Sequence, residues 1–175
     1  MTLKPQDVVV LLKLVALEDQ PWTFQRLAVE LSISQSEVHA AVRRAVAAGL
    51  MTEASSSAGR PVRAALLEFL LHGVKYAFPP KRGELTRGVP TGYAAPPLDK
   101  AIAGSSEPPP VWPYAEGKVR GYALAPLYRT VPQAAMRDEA LYELLALLDA
   151  IRDGRARERT LARQALEKRL RAAAG

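Results

Sequence analysis

Eleven of the 14 prolines lie between residues 76 and 134, with six of the 11 glycines. Proline lacks a backbone donor and its ring collides with the carbonyl four residues back, so this stretch cannot carry a long helix. Outside it stand only Pro5, Pro21 and Pro61, and both flanks space their apolar residues as helices do. The expected class is mainly α in three regions. These are residues 1–75, a Pro/Gly-rich arm with short strands over 76–134, and C-terminal helices over 135–175.

A chain of 175 residues with 49% hydrophobic residues can bury a substantial core. No apolar run reaches membrane-spanning length, and Lys13 interrupts the first one, so that run reads as a helix and not as a signal peptide. The expectation is no membrane and a cytoplasmic location. The absence of cysteine removes disulfides, thiolate metal sites and thiol nucleophiles. The net charge of +6 favours a polyanionic partner.

Enzyme signatures are missing. His39 and His72 are the only histidines, with no H-E-x-x-H, and there is no phosphate loop, G-x-G-x-x-G or G-x-S-x-G. His72 reads as a packed or half-exposed residue, and Glu139 with Glu143 as solvated charge. No catalytic residue, metal or cofactor is expected.

In the first region Val8, Leu11, Leu12 and Val15 share a helix face, with Pro5 suited to its first turn. Thr23 can cap a second helix carrying Phe24, Leu27, Ala28 and Leu31 inward. Ser32-Ile33-Ser34 turns into a third, where Ser34 and Glu37 have the S-x-x-E spacing of a capping box. Gly49 suits its left-handed end. Beyond it "LMTEA" and "RPVR" can pair as strands around "SSSAG", and "AALLEFLLHGVKYAF" reads as one more helix.

The stretch "FQRLAVELSISQSEVHAAVRRAVAAGLM" resembles the helix-turn-helix of bacterial winged-helix transcriptional regulators, the broad MarR-like class, over residues 1–75 only. Ala28 stands where the two helices touch, Ile33 plugs the turn, and Val38, Ala41 and Val42 anchor the third helix. Ser32 departs from the glycine usual at that turn. The resemblance implies that the helix over residues 35–48 enters the major groove of double-stranded DNA and that a short basic wing lies on the backbone.

At 100° per residue, Ser36, Ala40, Arg43 and Ala47 face away from the core side, with His39 and Arg44 on the flanks. Small residues permit close approach, and arginine can fork onto guanine or hold a phosphate. The expected DNA-binding residues are Gln35, Ser36, His39, Arg43, Arg44, Arg60 and Arg63. The plainer alternatives are a solvated His39 and an Arg44 paired to an acidic residue elsewhere.

Trp112, Tyr114, Tyr122, Leu124, Leu127 and Tyr128 suit an arm that packs on something and is not a disordered linker, with "SSEPPP" its most mobile piece. Lys81, Arg82 and Arg87 interleave with Tyr76 and Tyr93, a mixture that can stack on single strands or simply pack. Leu141, Leu144, Leu145, Leu148 and Ile151 form one stripe and Leu161, Ala165, Leu166 and Leu170 another, with Asp153-Gly154 between two helices. Such stripes can build a homodimer that reads a near-palindromic site. The alternative is a protein-interaction module, antitoxin-like or an adaptor subunit, whose arm and terminal helices hold a protein partner.

Overall fold

A computed structural model describes residues 2–53, 59–102 and 106–171. The chain is mainly helical with a small three-stranded sheet. The helices are α1 (Pro5–Leu17), α2 (Phe24–Leu31), α3 (Gln35–Ala47), α4 (Arg63–His72), α5 (Val74–Ala77), α6 (Val131–Met136), α7 (Glu139–Asp153) and α8 (Ala156–Arg171). The strands are β1 (Arg82–Pro90), β2 (Pro110–Pro113) and β3 (Val119–Leu124). Among the described residues no helix is long and apolar enough to cross a membrane.

One hydrophobic cluster draws on all three sequence regions, from Val8 and Leu27 through Trp112 to Leu145 and Leu166. Helices α1 and α7 lie at its centre, and each is apolar on most sides, as a helix covered all round must be. Lys13 is only 2% exposed. Its Nζ lies 3.1 Å from Glu30 Oε1 and 2.8 Å from Asp138 Oδ2. The residue that interrupts the first apolar run therefore ties α1 to α2 and to the start of α7. Burying an ammonium is costly unless it is paired, and here two carboxylates meet it.

Thr23 and Ser34 cap α2 and α3 through their hydroxyls, which accept from Arg26 N–H and Glu37 N–H. The reciprocal half of the expected box at α3 does not form. Glu37 instead accepts from Gln6 Nε2 at 2.7 Å and from Arg44 Nη2 at 3.0 Å. Both helices end alike. Ile33 N–H donates to Ala28 O and Ser32 N–H to Val29 O, while Leu50 N–H donates to Ala45 O and Gly49 N–H to Val46 O. The left-handed residue is Gly49 (φ 77°) in one case and Ser32 (φ 56°) in the other.

After α3 the chain makes one antiparallel bridge, Met51 to Pro61, with Thr52 N–H donating to Arg60 O at 2.8 Å. The expected "SSSAG" turn lies outside the described residues except for Gly59, whose carbonyl accepts from the buried Trp22 Nε1. The single helix expected over "AALLEFLLHGVKYAF" is two, α4 and α5, divided at Gly73.

In the arm β1 runs antiparallel to both β2 and β3, which pair parallel to each other, so the three strands close on themselves. Closure this tight needs residues without a side chain. A Cβ on Gly88 would sit 2.0 Å from Trp112 O, and one on Gly121 would sit 1.9 Å from Pro109 O. The arm docks on α7 through Asp149, which accepts from Thr91 Oγ1 and Trp112 Nε1, both at 2.7 Å, and from Arg152 Nη1 at 2.8 Å. Part of the "SSEPPP" stretch lies outside the described residues.

Helices α7 and α8 are distinct and meet at Gly154. The stripe Leu141, Leu144, Leu145, Leu148 and Ile151 is buried in this chain's own core, as are Leu166 and Leu170 of the second stripe, with Leu161 and Ala165 packed partly buried against it. Most of these residues are thus taken up by packing within the chain itself.

Candidate nucleic-acid interface

Helix α3 has two unlike faces. Val38, Ala41, Val42 and Ala45 are buried against α1 and α2. Gln35, Ser36, Arg43 and Ala47 are exposed, with Ala40 and His39 half-buried. Gln35 and Arg43 have no partner among the described residues, and Ser36 Oγ makes only a 3.3 Å contact with Ser34 Oγ. The helix thus presents a narrow strip of short side chains with one amide near its start and one unpaired guanidinium at its middle.

The remaining expected contacts are placed differently. Arg44 turns inward, a correction to its place on the flank of the outward face. Its Nε and Nη2 donate to Asp7 Oδ2 and Oδ1, both at 2.8 Å, and Nη2 also reaches Glu37. The hydrogen bonds that Arg44 donates to Asp7 outweigh desolvation and hold the guanidinium more firmly charged than usual. Arg63 does not stand where the wing contact was expected, a second correction. It starts α4 and donates to Leu170 O at 3.1 Å and Arg169 O at 3.5 Å, the carbonyl end of α8, where a cation suits the helix dipole.

His39 stacks its ring on Phe24, with centroids 3.7 Å apart and planes 16° from parallel. It covers an aromatic residue and is itself half-buried. Arg60 stands half-buried at the base of the bridge and donates to the neighbouring Gly59 O. The expected set therefore divides: among the described residues Gln35 and Arg43 are free and Ser36 touches only Ser34, His39 and Arg60 are half-committed, and Arg44 and Arg63 are held by protein.

One residue that the sequence pattern did not single out joins this surface. Arg137, exposed at the end of α6, donates from Nη1 to Val29 O and to Ser32 Oγ, both at 3.1 Å. It sits on the turn between α2 and α3, more than 100 residues away along the chain. No local period or cap could signal a contact across that separation.

A cavity of about 260 Å³ lies at the far end of α7, among Arg82, Tyr93, Tyr122, Leu124, Asp153 and Glu158. Its charges are largely spent on one another. Arg82 Nε meets Asp153 Oδ1 at 2.7 Å, and Tyr122 donates to Asp153 Oδ2. Burial, with Asp153 adding to it, pushes the Tyr122 hydroxyl up, so it remains a donor. Among the described residues no three metal-ligating side chains gather. Comparison with protein-family models, curated proteins and solved structures finds no match to this chain.

Proposed function

We propose that the chain is a sequence-specific duplex-DNA-binding protein acting in transcription regulation. In this reading α1 to α4 with the Met51–Pro61 bridge form a winged helix-turn-helix, and α3 enters the major groove. The observation that carries it is the exposed strip Gln35, Ser36 and Arg43 on a helix whose other face is fully packed, with Gln35 and Arg43 unpartnered among the described residues. Gln35 suits an adenine edge and Arg43 the N7 and O6 of guanine. Ser36, Ala40 and Ala47 keep the helix low enough to reach them.

Arg60 at the base of the bridge serves the backbone, and His39 borders the strip. Arg44 acts from the inner side, where by holding α1 to α3 it fixes the tilt of the reading helix. The leucine stripes being buried, recognition of one site by a single chain is the simpler arrangement, and any second copy would meet through another surface.

The test is selection of bound fragments from a random duplex pool by the full chain at two salt concentrations. Enrichment of one motif at both concentrations supports the reading. Binding without enrichment that collapses with salt reduces it to phosphate contact. No retained duplex at either concentration overturns it and directs attention to a protein partner.

A further inference from the structure

The geometry points to Arg137 as a phosphate-gripping residue beside the reading helix, seated there by Ser32. This rests on the proposed DNA reading and adds a contact from outside the first 75 residues. Nη1 has two hydrogens, and the bonds to Val29 O and Ser32 Oγ occupy them. The Nε–H and Nη2 edge is left over, and that is the edge with which arginine holds a phosphate in two-pronged fashion. No carboxylate pairs with Arg137 among the described residues, so its charge is not neutralised from within. Its position at the carbonyl end of α2 is favourable for a cation and holds the group still.

The location follows from the turn. Ser32 lies two residues before Ser34, the cap of α3, and Gln35 and Ser36 begin the exposed strip. A guanidinium fixed on Ser32 therefore stands at the mouth of the groove that α3 would enter. The serine itself becomes explicable. Its backbone is left-handed, at φ 56° and ψ 44°, a conformation glycine adopts with less strain. Glycine would ease the turn and remove the hydroxyl that receives Arg137.

The experiment compares the salt dependence of affinity for the selected duplex across full-length wild type, Arg137→Ala, Arg137→Lys and Ser32→Gly. For Arg137→Ala the expected result is uniformly weaker binding to matched and mismatched duplexes, with the salt slope lowered by about 1. Arg137→Lys restores the slope and only part of the affinity, because an ammonium lacks the fork. Ser32→Gly melts no lower than wild type yet binds more weakly, and adds nothing to Arg137→Ala in the double variant.

A wild-type slope in Arg137→Ala overturns the phosphate contact while leaving the α3 reading intact. Additive losses for the two substitutions overturn the seating role of Ser32. A wild-type chain that binds no duplex overturns both this inference and the reading beneath it.

Discussion

Arg44 on α3 and Asp7 on α1 form a two-pronged ion pair, with both N–O distances 2.8 Å and Asp7 wholly buried. Its neighbour Arg43, one step or about 100° around the same helix, is exposed and has no partner among the described residues. Two consecutive arginines thus have opposite work, one positioning the helix and the other left free to contact a ligand.

Replacing Asp7 by Ala strands the Arg44 guanidinium, whose side chain is 11% exposed, with Glu37 as its remaining counter-charge. Breaking a buried pair by removing one partner costs about 3 kcal/mol. The check is a urea titration, in which the midpoint should fall with the slope unchanged. A loss below about 1 kcal/mol would mean that the pair is solvated and not structural.

Arg43→Ala should leave the unfolding midpoint unchanged, because among the described residues that exposed side chain has no hydrogen-bond or ion-pair partner. If it reads a base, affinity for the selected duplex falls about 10- to 100-fold and preference relaxes at one position. Fluorescence anisotropy with single-base variants measures both. Unchanged affinity removes the outward face of α3 from the interface.

Acid should weaken the contacts of α1 with α2 and with α3. Glu37 is held below its ordinary value of 4.5, chiefly by the hydrogen bond from Gln6 and further by Arg44. Glu30 is also lowered: burial works to raise it, and the bonds from Arg26 and Lys13 outweigh that. A carboxylate lowered in the folded state contributes stability that is complete above its unfolded pKa and is lost as pH falls through its folded one. The expected loss therefore begins near pH 4.5 and deepens below it. The double substitution Glu30→Gln, Glu37→Gln should flatten this acid limb, and an identical limb would contradict the assignment.

Alkali acts through Tyr142, whose hydroxyl donates to Pro90 O at 2.6 Å. Burial, and secondarily the charge of Asp99, push it from 10.0 up to about 12. An acid raised in the folded state contributes stability that is complete below its unfolded value and lost as pH rises through the folded one. Between pH 10.0 and about 12 the wild type should lose stability that Tyr142→Phe does not lose. Circular dichroism against pH decides, and parallel curves would remove the contribution.

The closed sheet should be unusually intolerant at Gly121. A methyl there meets Pro109 O at 1.9 Å, so Gly121→Ala must displace backbone, at a cost of about 2 kcal/mol or more. Gly49→Ala makes the contrast, since open space surrounds that position and only its positive φ is strained, a penalty of about 1 kcal/mol. Thermal midpoints falling equally would show that the strands can separate without loss.

Much of the local structure is legible in the residues. Proline placement locates the arm, Thr23 and Ser34 mark helix starts, Gly49 marks an end, and Gly154 divides the last two helices. These are short-range effects, carried by backbone donors and φ angles within one or two turns. The split at Gly73 and the unfinished capping box at Glu37 were not legible. For the box a distant neighbour decided, since Gln6 with Arg44 competes for the Glu37 carboxylate.

The leucine stripes show the same limit at longer range. Periodicity says that Leu141, Leu144, Leu145 and Leu148 need covering, and only the packed chain says that its own helices cover them.

By itself the sequence determined the helical class, the irregular middle and the apolar face that each helix must hide, because those depend on backbone chemistry and spacing. The tertiary structure alone decided which charges remain available. Desolvation drives a buried or half-buried ion toward a partner, and the partners lie far off: Asp7 for Arg44 and the end of α8 for Arg63, while the exposed Arg137 reaches across to the α2–α3 turn.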